Sequence, residues 1–91
     1  MNEEEKKYRE EVSKLIRGVG SREELVELTE LLAHGFERGF EEEQSVTDYL
    51  DGYAALVEAL DSWYKNQDLE LPEHPTWNMM GRLLASAFIH S

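Results

Sequence analysis

The segment from Trp77 onward reads WNMMGRLLASAFIHS and is almost entirely apolar. Between residues 77 and 90 its polar side chains recur every four residues, at Asn78, Arg82, Ser86 and His90. Because four residues make about one helical turn, these side chains form a single narrow strip on a helix. The other sides of that helix must be covered by protein. The segment therefore predicts a helix over residues 77–90 that lies at the centre of a helical domain.

Two helices are predicted in the first half of the chain. The first, over residues 3–17, opens with three glutamates, which stabilise the positive end of the helix dipole, and two glycines follow it. The second, over residues 22–38, begins with a capping box, in which Ser21 caps free amides and Glu24 reaches back. Gly39 follows its predicted end. No segment shows the two-residue alternation of a strand.

A third helix is predicted over residues 46–66, with Ser45 or Thr47 as its N-cap. Before it lies a connector, residues 40–45, whose Phe40 is expected to pack back onto the core. The predicted helix carries the longest apolar stripe of the chain: Val46, Tyr49, Leu50, Tyr53, Leu56, Val57, Leu60, Trp63 and Tyr64.

A loop is predicted over residues 67–76, where Pro72 and Pro75 bias the preceding residues away from helical geometry. Thr76 occupies the position of an N-cap for the last helix. A chain of 91 residues has room for one domain. The predicted fold class is therefore all-α: a compact four-helix domain spanning residues 1–91, with a mostly apolar, central C-terminal helix.

Composition indicates the cellular compartment of the protein. The chain has no cysteine, which excludes disulfides and thiolate metal sites. No apolar run approaches the roughly 20 residues that a membrane span requires. The first residues, MNEEEKKYREE, are unlike a secretory signal. We therefore expect a cytoplasmic protein that makes no membrane contact.

Charge is distributed unevenly over the chain, whose formal net charge is −11. Between Arg38 and Lys65, a stretch called here the acidic span, no base occurs. It contains seven carboxylates: Glu41, Glu42, Glu43, Asp48, Asp51, Glu58 and Asp61. Such a surface repels nucleic-acid phosphate and favours a basic protein partner, although it also simply aids solubility. Together with Tyr49 and Tyr53 as aromatic anchors, these carboxylates are the predicted partner-binding residues.

No constellation of catalytic or metal-binding residues is evident. Glu30 and His34 lie one turn apart, but a helical di-metal site needs a Glu-x-x-His motif, which neither helical histidine has. His74 lies in the proline loop without a neighbouring nucleophile, and Asp48 and Asp51 are expected to face water. We expect no cofactor, no metal and no enzymatic activity.

Several motifs resemble those of a known family. They are WYKN at residues 63–66, LPEHPTW at 71–77 and LLASAF at 83–88. The chain resembles, over residues 21–90, a family of small acidic bacterial proteins known only as a domain of unknown function. The resemblance depends on Leu50, Trp63, Tyr64, Asn66, Pro72, Pro75, Trp77 and Ala87. The chain differs from the family pattern at two places. It has Phe40 where the pattern has Trp, and it ends in Ile89-His90-Ser91 where the pattern has Tyr-Glu. The resemblance implies an all-helical domain without assigned activity, and an immunity or antitoxin role.

These observations predict a non-enzymatic module that binds and sequesters a basic protein. Three alternatives stay open. One is a self-associating structural protein, a homodimer for instance, because the apolar last helix is large for so small a domain. Another is an inhibitor that mimics DNA through its carboxylates. The third is an enzyme or ligand carrier, which would have a cavity between the third and fourth predicted helices.

Overall fold

The computed structural model describes residues 2–89, and these residues form five α-helices and no strand. The all-α prediction is confirmed. The helices are α1 (Glu3–Gly18), α2 (Arg22–Glu37), α3 (Val46–Glu58), α4 (Leu60–Asn66) and α5 (Trp77–Ile89). His90, the predicted last residue of the final helix, lies outside the described residues.

Four of the helices begin at side-chain caps, as polar residues before an apolar run predict. Ser21 accepts a hydrogen bond from the amide three residues on at 3.2 Å, and Glu24 reaches back to the amide of Gly20 at 3.1 Å. Ser45 and Thr76 cap α3 and α5 at 3.0 Å. Asn2 caps α1 at 2.7 Å, which the sequence reading missed.

The predicted single helix over residues 46–66 is wrong, because the chain breaks at Ala59 (φ −98°, ψ 21°). With a rise of 1.5 Å per residue, α5 is about 20 Å long, whereas one helix over 46–66 would be about 31 Å long. The break turns α4 back toward the start of α5. There Leu60 and Trp63 pack against a second small core cluster formed by Tyr64, Met79 and Leu83.

The main core lies where α1, α2 and α5 pack together. Its buried residues are Tyr8, Val12, Val19, Leu28, Leu32 and Ala85. Gly81 lets α5 approach closely, since a Cβ there would lie 3.3 Å from Leu28 and 3.4 Å from Val19. Phe40 packs against this core, with its ring centroid 5.3 Å from that of Tyr8.

α5 packs against α1, α2 and α3, and no other helix among residues 2–89 packs against three long helices. Met79, Gly81, Leu83, Ala85 and Ala87 are its buried residues. The central position expected for this helix follows from that contact pattern. Burial is incomplete, however, because Trp77 is 38% exposed and Met80 is 45% exposed.

Candidate protein-binding surface

The apolar stripe of α3 is more exposed than expected, and no residue of this helix is buried. Four of its apolar residues lie on the outer side: Val46 is 76% exposed, Leu50 56%, Val57 45% and Tyr53 36%. We call these four residues the exposed stripe. Their spacing of four, three and four residues places them on one side of the helix. Helical spacing alone would allow the whole stripe to face the core, but its outer half faces solvent.

Among the helices of residues 2–89, α3 contacts α5 and the short α4 and no other. Gly52 faces α5, where a Cβ would lie 3.9 Å from the carbonyl oxygen of Ala87. Tyr49 packs edge-on against Phe88, with ring centroids 6.5 Å apart, and lies 6.4 Å from the ring of Tyr53. Burial and the neighbouring Tyr53 raise the pKa of Tyr49 above its usual value. α3 is thus attached to the domain along one side only.

An open apolar groove lies between α2 and α3, with α5 at its bottom. Its volume is about 380 Å³. No Cα atoms of α2 and α3 lie within 8 Å of each other in the described part of the chain, although both helices pack on α5. The groove is lined by Phe36 of α2, by Gln44, Ser45, Val46 and Tyr49 at the start of α3, and by Leu84 and Phe88 of α5.

Gln44 fixes the end of the groove nearest Phe88. Its Nε2 donates a hydrogen bond of 2.8 Å to the carbonyl oxygen of Phe88. Only the amide nitrogen can donate to a carbonyl, so this bond sets the orientation of the side chain. The Oε1 atom is left buried without a hydrogen-bond partner. A single side chain therefore ties the connector to α5 beside the groove.

Six of the seven predicted carboxylates are exposed. Glu42 and Glu43 lie in the connector, and the rest lie on α3 and α4, as Asp48, Asp51, Glu58 and Asp61. Tyr53 lies on the surface and Tyr49 is half-buried in the groove wall. The structure thus places most of the predicted residues on one helix and its flanks.

The exposure expected for Glu41 is wrong, because its side chain is only 5% exposed. Its Oε2 accepts hydrogen bonds from the hydroxyl of Tyr8 at 2.7 Å and from Nη1 of Arg9 at 2.9 Å. Arg9 also donates to the carbonyl oxygen of Phe40. Burial, followed by the hydrogen bond to Glu41, raises the pKa of Tyr8. Glu41 therefore holds the connector to α1 and is not available to a partner.

The histidines considered as chemical sites lie on the surface of the protein. Glu30, His34 and His74 are exposed. Among residues 2–89, no group of three or more His, Asp or Glu side chains is placed to hold a metal ion.

A second surface pocket, of about 530 Å³, lies at the start of α5 and is lined by Gly20, Pro75, Thr76, Trp77, Asn78 and Met80.

The helices in the described part of the chain are all too short or too polar to cross a membrane.

Residues 21–90 match the family described as "Family of unknown function (DUF7660)". The chain belongs to DUF7660. The resemblance to an uncharacterised family over these residues is thereby confirmed. No curated protein and no solved structure matches the chain.

The DUF7660 match begins at the cap of α2 and includes the groove, the exposed stripe and every exposed carboxylate of the acidic span. Tyr8 and Arg9, which hold Glu41, lie in α1 and outside the match. The candidate binding surface therefore belongs entirely to the DUF7660 segment.

Proposed function

We propose that the protein is a non-enzymatic module that binds a basic protein partner. One observation supports this proposal most directly. α3 exposes four apolar residues, and it lies within the acidic span. That span has six exposed carboxylates and contains no lysine or arginine in its sequence. Exposed apolar residues in a row and a field of one charge are the two features that a charged protein interface combines.

The two features make different contributions to binding. Burying apolar surface contributes about 25 cal/mol per Å², so the exposed stripe would supply affinity. The carboxylates would attract a basic surface and speed its association, and this effect would weaken with salt. Tyr53, 36% exposed beside these charges, is the aromatic anchor of the proposed interface.

A module that occupies a basic surface blocks whatever else that surface binds. We therefore propose that binding neutralises the partner, as an immunity protein or an antitoxin does. Support for this step comes from the acidity of the exposed surface, which is suited to a partner that itself binds anionic substrates such as nucleic acid.

Co-purification from the native host tests the proposal. A basic protein should co-purify with the tagged chain, and Glu42→Lys with Glu43→Lys should weaken its binding about ten-fold at low salt. The matched control is Glu10→Lys with Glu11→Lys, which reverses two adjacent exposed glutamates on α1 and changes the net charge equally. Equal effects of the two pairs would contradict a localised acidic surface.

Self-association is the second candidate, and the exposed stripe favours it, because two copies would bury that stripe against each other. Sedimentation over a wide concentration range separates the two functions. A dimer that Val46→Glu or Leu50→Glu converts to monomer would favour self-association.

A further inference from the structure

The groove lies along a side of α5 that no helix covers in the described structure. α1 and α2 pack on one side of α5, and α3 packs on another. α2 and α3 are neighbours of α5 but have no Cα atoms within 8 Å of each other among residues 2–89. Helices in contact pack with their axes about 8–10 Å apart, so a helix laid between α2 and α3 would contact both of them and α5.

Apolar residues line this side of α5 at helical spacing. Leu84 and Phe88 lie one turn apart and line the groove, whereas Met80, one turn before Leu84, lines the second pocket. Four residues of helix span about 6 Å, so these two side chains form an apolar line about one turn long. Leu84 and Phe88 form the bottom of the groove. A ridge of this kind is the surface into which another helix packs its side chains.

Both walls of the groove add exposed apolar side chains. In α2, Phe36 is 37% exposed and packs on Phe88 with ring centroids 5.8 Å apart. In α3, Val46 belongs to the groove lining and to the exposed stripe, so the apolar surface runs from the groove onto the outer side of α3. Three helices thus contribute to one continuous apolar surface.

Resting on the function proposed above, we propose that this groove binds one amphipathic, lysine- or arginine-rich α-helix of the partner. Its apolar residues, at spacings of three and four, lie along Leu84 and Phe88. One large side chain enters the space between Phe36 and Tyr49. Its basic residues face the carboxylates of the connector and α3.

Charge selects this occupant over a second copy of the chain. Two copies would each bring a formal net charge of −11, and the acidic span next to the groove has no base to offset it. Like charges brought together at an interface disfavour association. A basic helix would instead be attracted to the carboxylates of the acidic span. An extended strand is disfavoured too, since the described part of the chain has no sheet edge to pair with it.

The probe for this proposal is a synthetic amphipathic peptide of about 15 residues, long enough for about four helical turns. It carries leucines at helical spacing, one central tryptophan and lysines elsewhere. One control peptide has the same composition in scrambled order, and another has glutamate in place of lysine. Titration of the isotope-labelled protein should shift the NMR signals of Phe36, Leu84 and Phe88. The scrambled and acidic peptides should leave these signals unchanged.

Two variants of exposed groove residues complete the test. Val46→Glu and Phe36→Glu should each weaken binding of the basic peptide at least ten-fold, because each places a charge where apolar contact is required. Leu71→Glu is the matched control: Leu71 is 38% exposed in the proline loop and outside the groove, and its replacement should change the affinity less than two-fold. Circular dichroism of each variant confirms that the helices are retained.

The outcomes separate the groove from the acidic surface. If Glu42→Lys with Glu43→Lys weakens peptide binding while Val46→Glu and Phe36→Glu do not, the groove proposal is overturned and the acidic-surface proposal stands. If the groove variants abolish binding and neither salt nor charge reversal alters it, the groove proposal stands and the acidic-surface proposal is overturned. No binding of the basic peptide, or groove signals that shift with protein concentration alone, also overturns the groove proposal.

Discussion

Tyr8 connects α1 to two other parts of the molecule. Its ring lies over Gly35 of α2, so close that a Cβ on Gly35 would be 2.1 Å from the ring carbon Cζ. Its hydroxyl donates to Glu41 of the connector. Helical spacing places Tyr8 on the same side of α1 as Val12 and Leu15. It could not predict either contact, because each joins residues more than 25 positions apart and no local pattern encodes such a pair.

We predict that Gly35→Ala destabilises the protein by about 2 kcal/mol or more, because the added methyl group would overlap the Tyr8 ring and force it to move. Urea unfolding followed by circular dichroism measures the change. Gly18→Ala is the control, since a Cβ at Gly18 would meet nothing within 4 Å. It should leave the stability equal or raise it by about 0.5–1 kcal/mol. Similar results for both variants would contradict the tight contact.

At the scale of single helices, the sequence predicted most boundaries within one or two residues. α1 and α2 were expected over 3–17 and 22–38, and they span Glu3–Gly18 and Arg22–Glu37. Caps and glycines made this possible, because they act locally. The break at Ala59 has no such local signal. The break accompanies a tertiary contact, the packing of Leu60 and Trp63 on the second core cluster, which no local pattern encodes.

The start of α3 offers a test of capping, because Ser45 and Thr47 were both predicted candidates. Only the Ser45 hydroxyl accepts a backbone amide bond, from Asp48 at 3.0 Å. Ser45→Ala should therefore destabilise the protein by about 1 kcal/mol. Thr47→Ala should change the stability by less than about 0.5 kcal/mol, as expected for an exposed position. Chemical unfolding of both variants checks the assignment; a larger effect at Thr47 would contradict it.

At the scale of the whole molecule, the candidate site was predicted in part. Charge counting along the chain found the acidic span and its six exposed carboxylates. Periodicity could not distinguish the inner half of the α3 stripe from its outer half, because both have helical spacing. A cavity between the third and fourth predicted helices was considered only for an enzyme or ligand carrier, and the contribution of α2 to the groove was not foreseen. The groove exists because α2 and α3 diverge over α5, and only three-dimensional packing decides that.

Three tyrosines on three helices make the free energy of unfolding depend on pH in the alkaline range. Burial raises the pKa values of Tyr8, Tyr49 and Tyr64 above the ordinary value of about 10. Above that pH the unfolded chain loses phenolic protons that the folded protein keeps. The free energy of unfolding should therefore be unaffected by these groups below about pH 9 and fall as the pH rises beyond about 10.

Urea unfolding at a series of alkaline pH values measures this loss. Tyr8→Phe should give a shallower decline than the wild type, because one of the three groups is removed while Tyr49 and Tyr64 remain. At neutral pH the variant should already be less stable by about 1 kcal/mol, since Glu41 loses a hydrogen-bond donor. Identical pH slopes for the two proteins would show that Tyr8 does not keep its proton through burial.

The hydrogen bond from Gln44 to the carbonyl of Phe88 has a consequence for the shape of the groove. Where two helices interlock, the distance between them is set by many side chains and resists change. Here the amide of Gln44, beside the packing of Tyr49 on Phe88, holds the start of α3 to the end of α5. A shorter or longer residue at position 44 would widen or narrow the opening and leave the main core untouched. The shape of the groove can thus change at one position without repacking the domain.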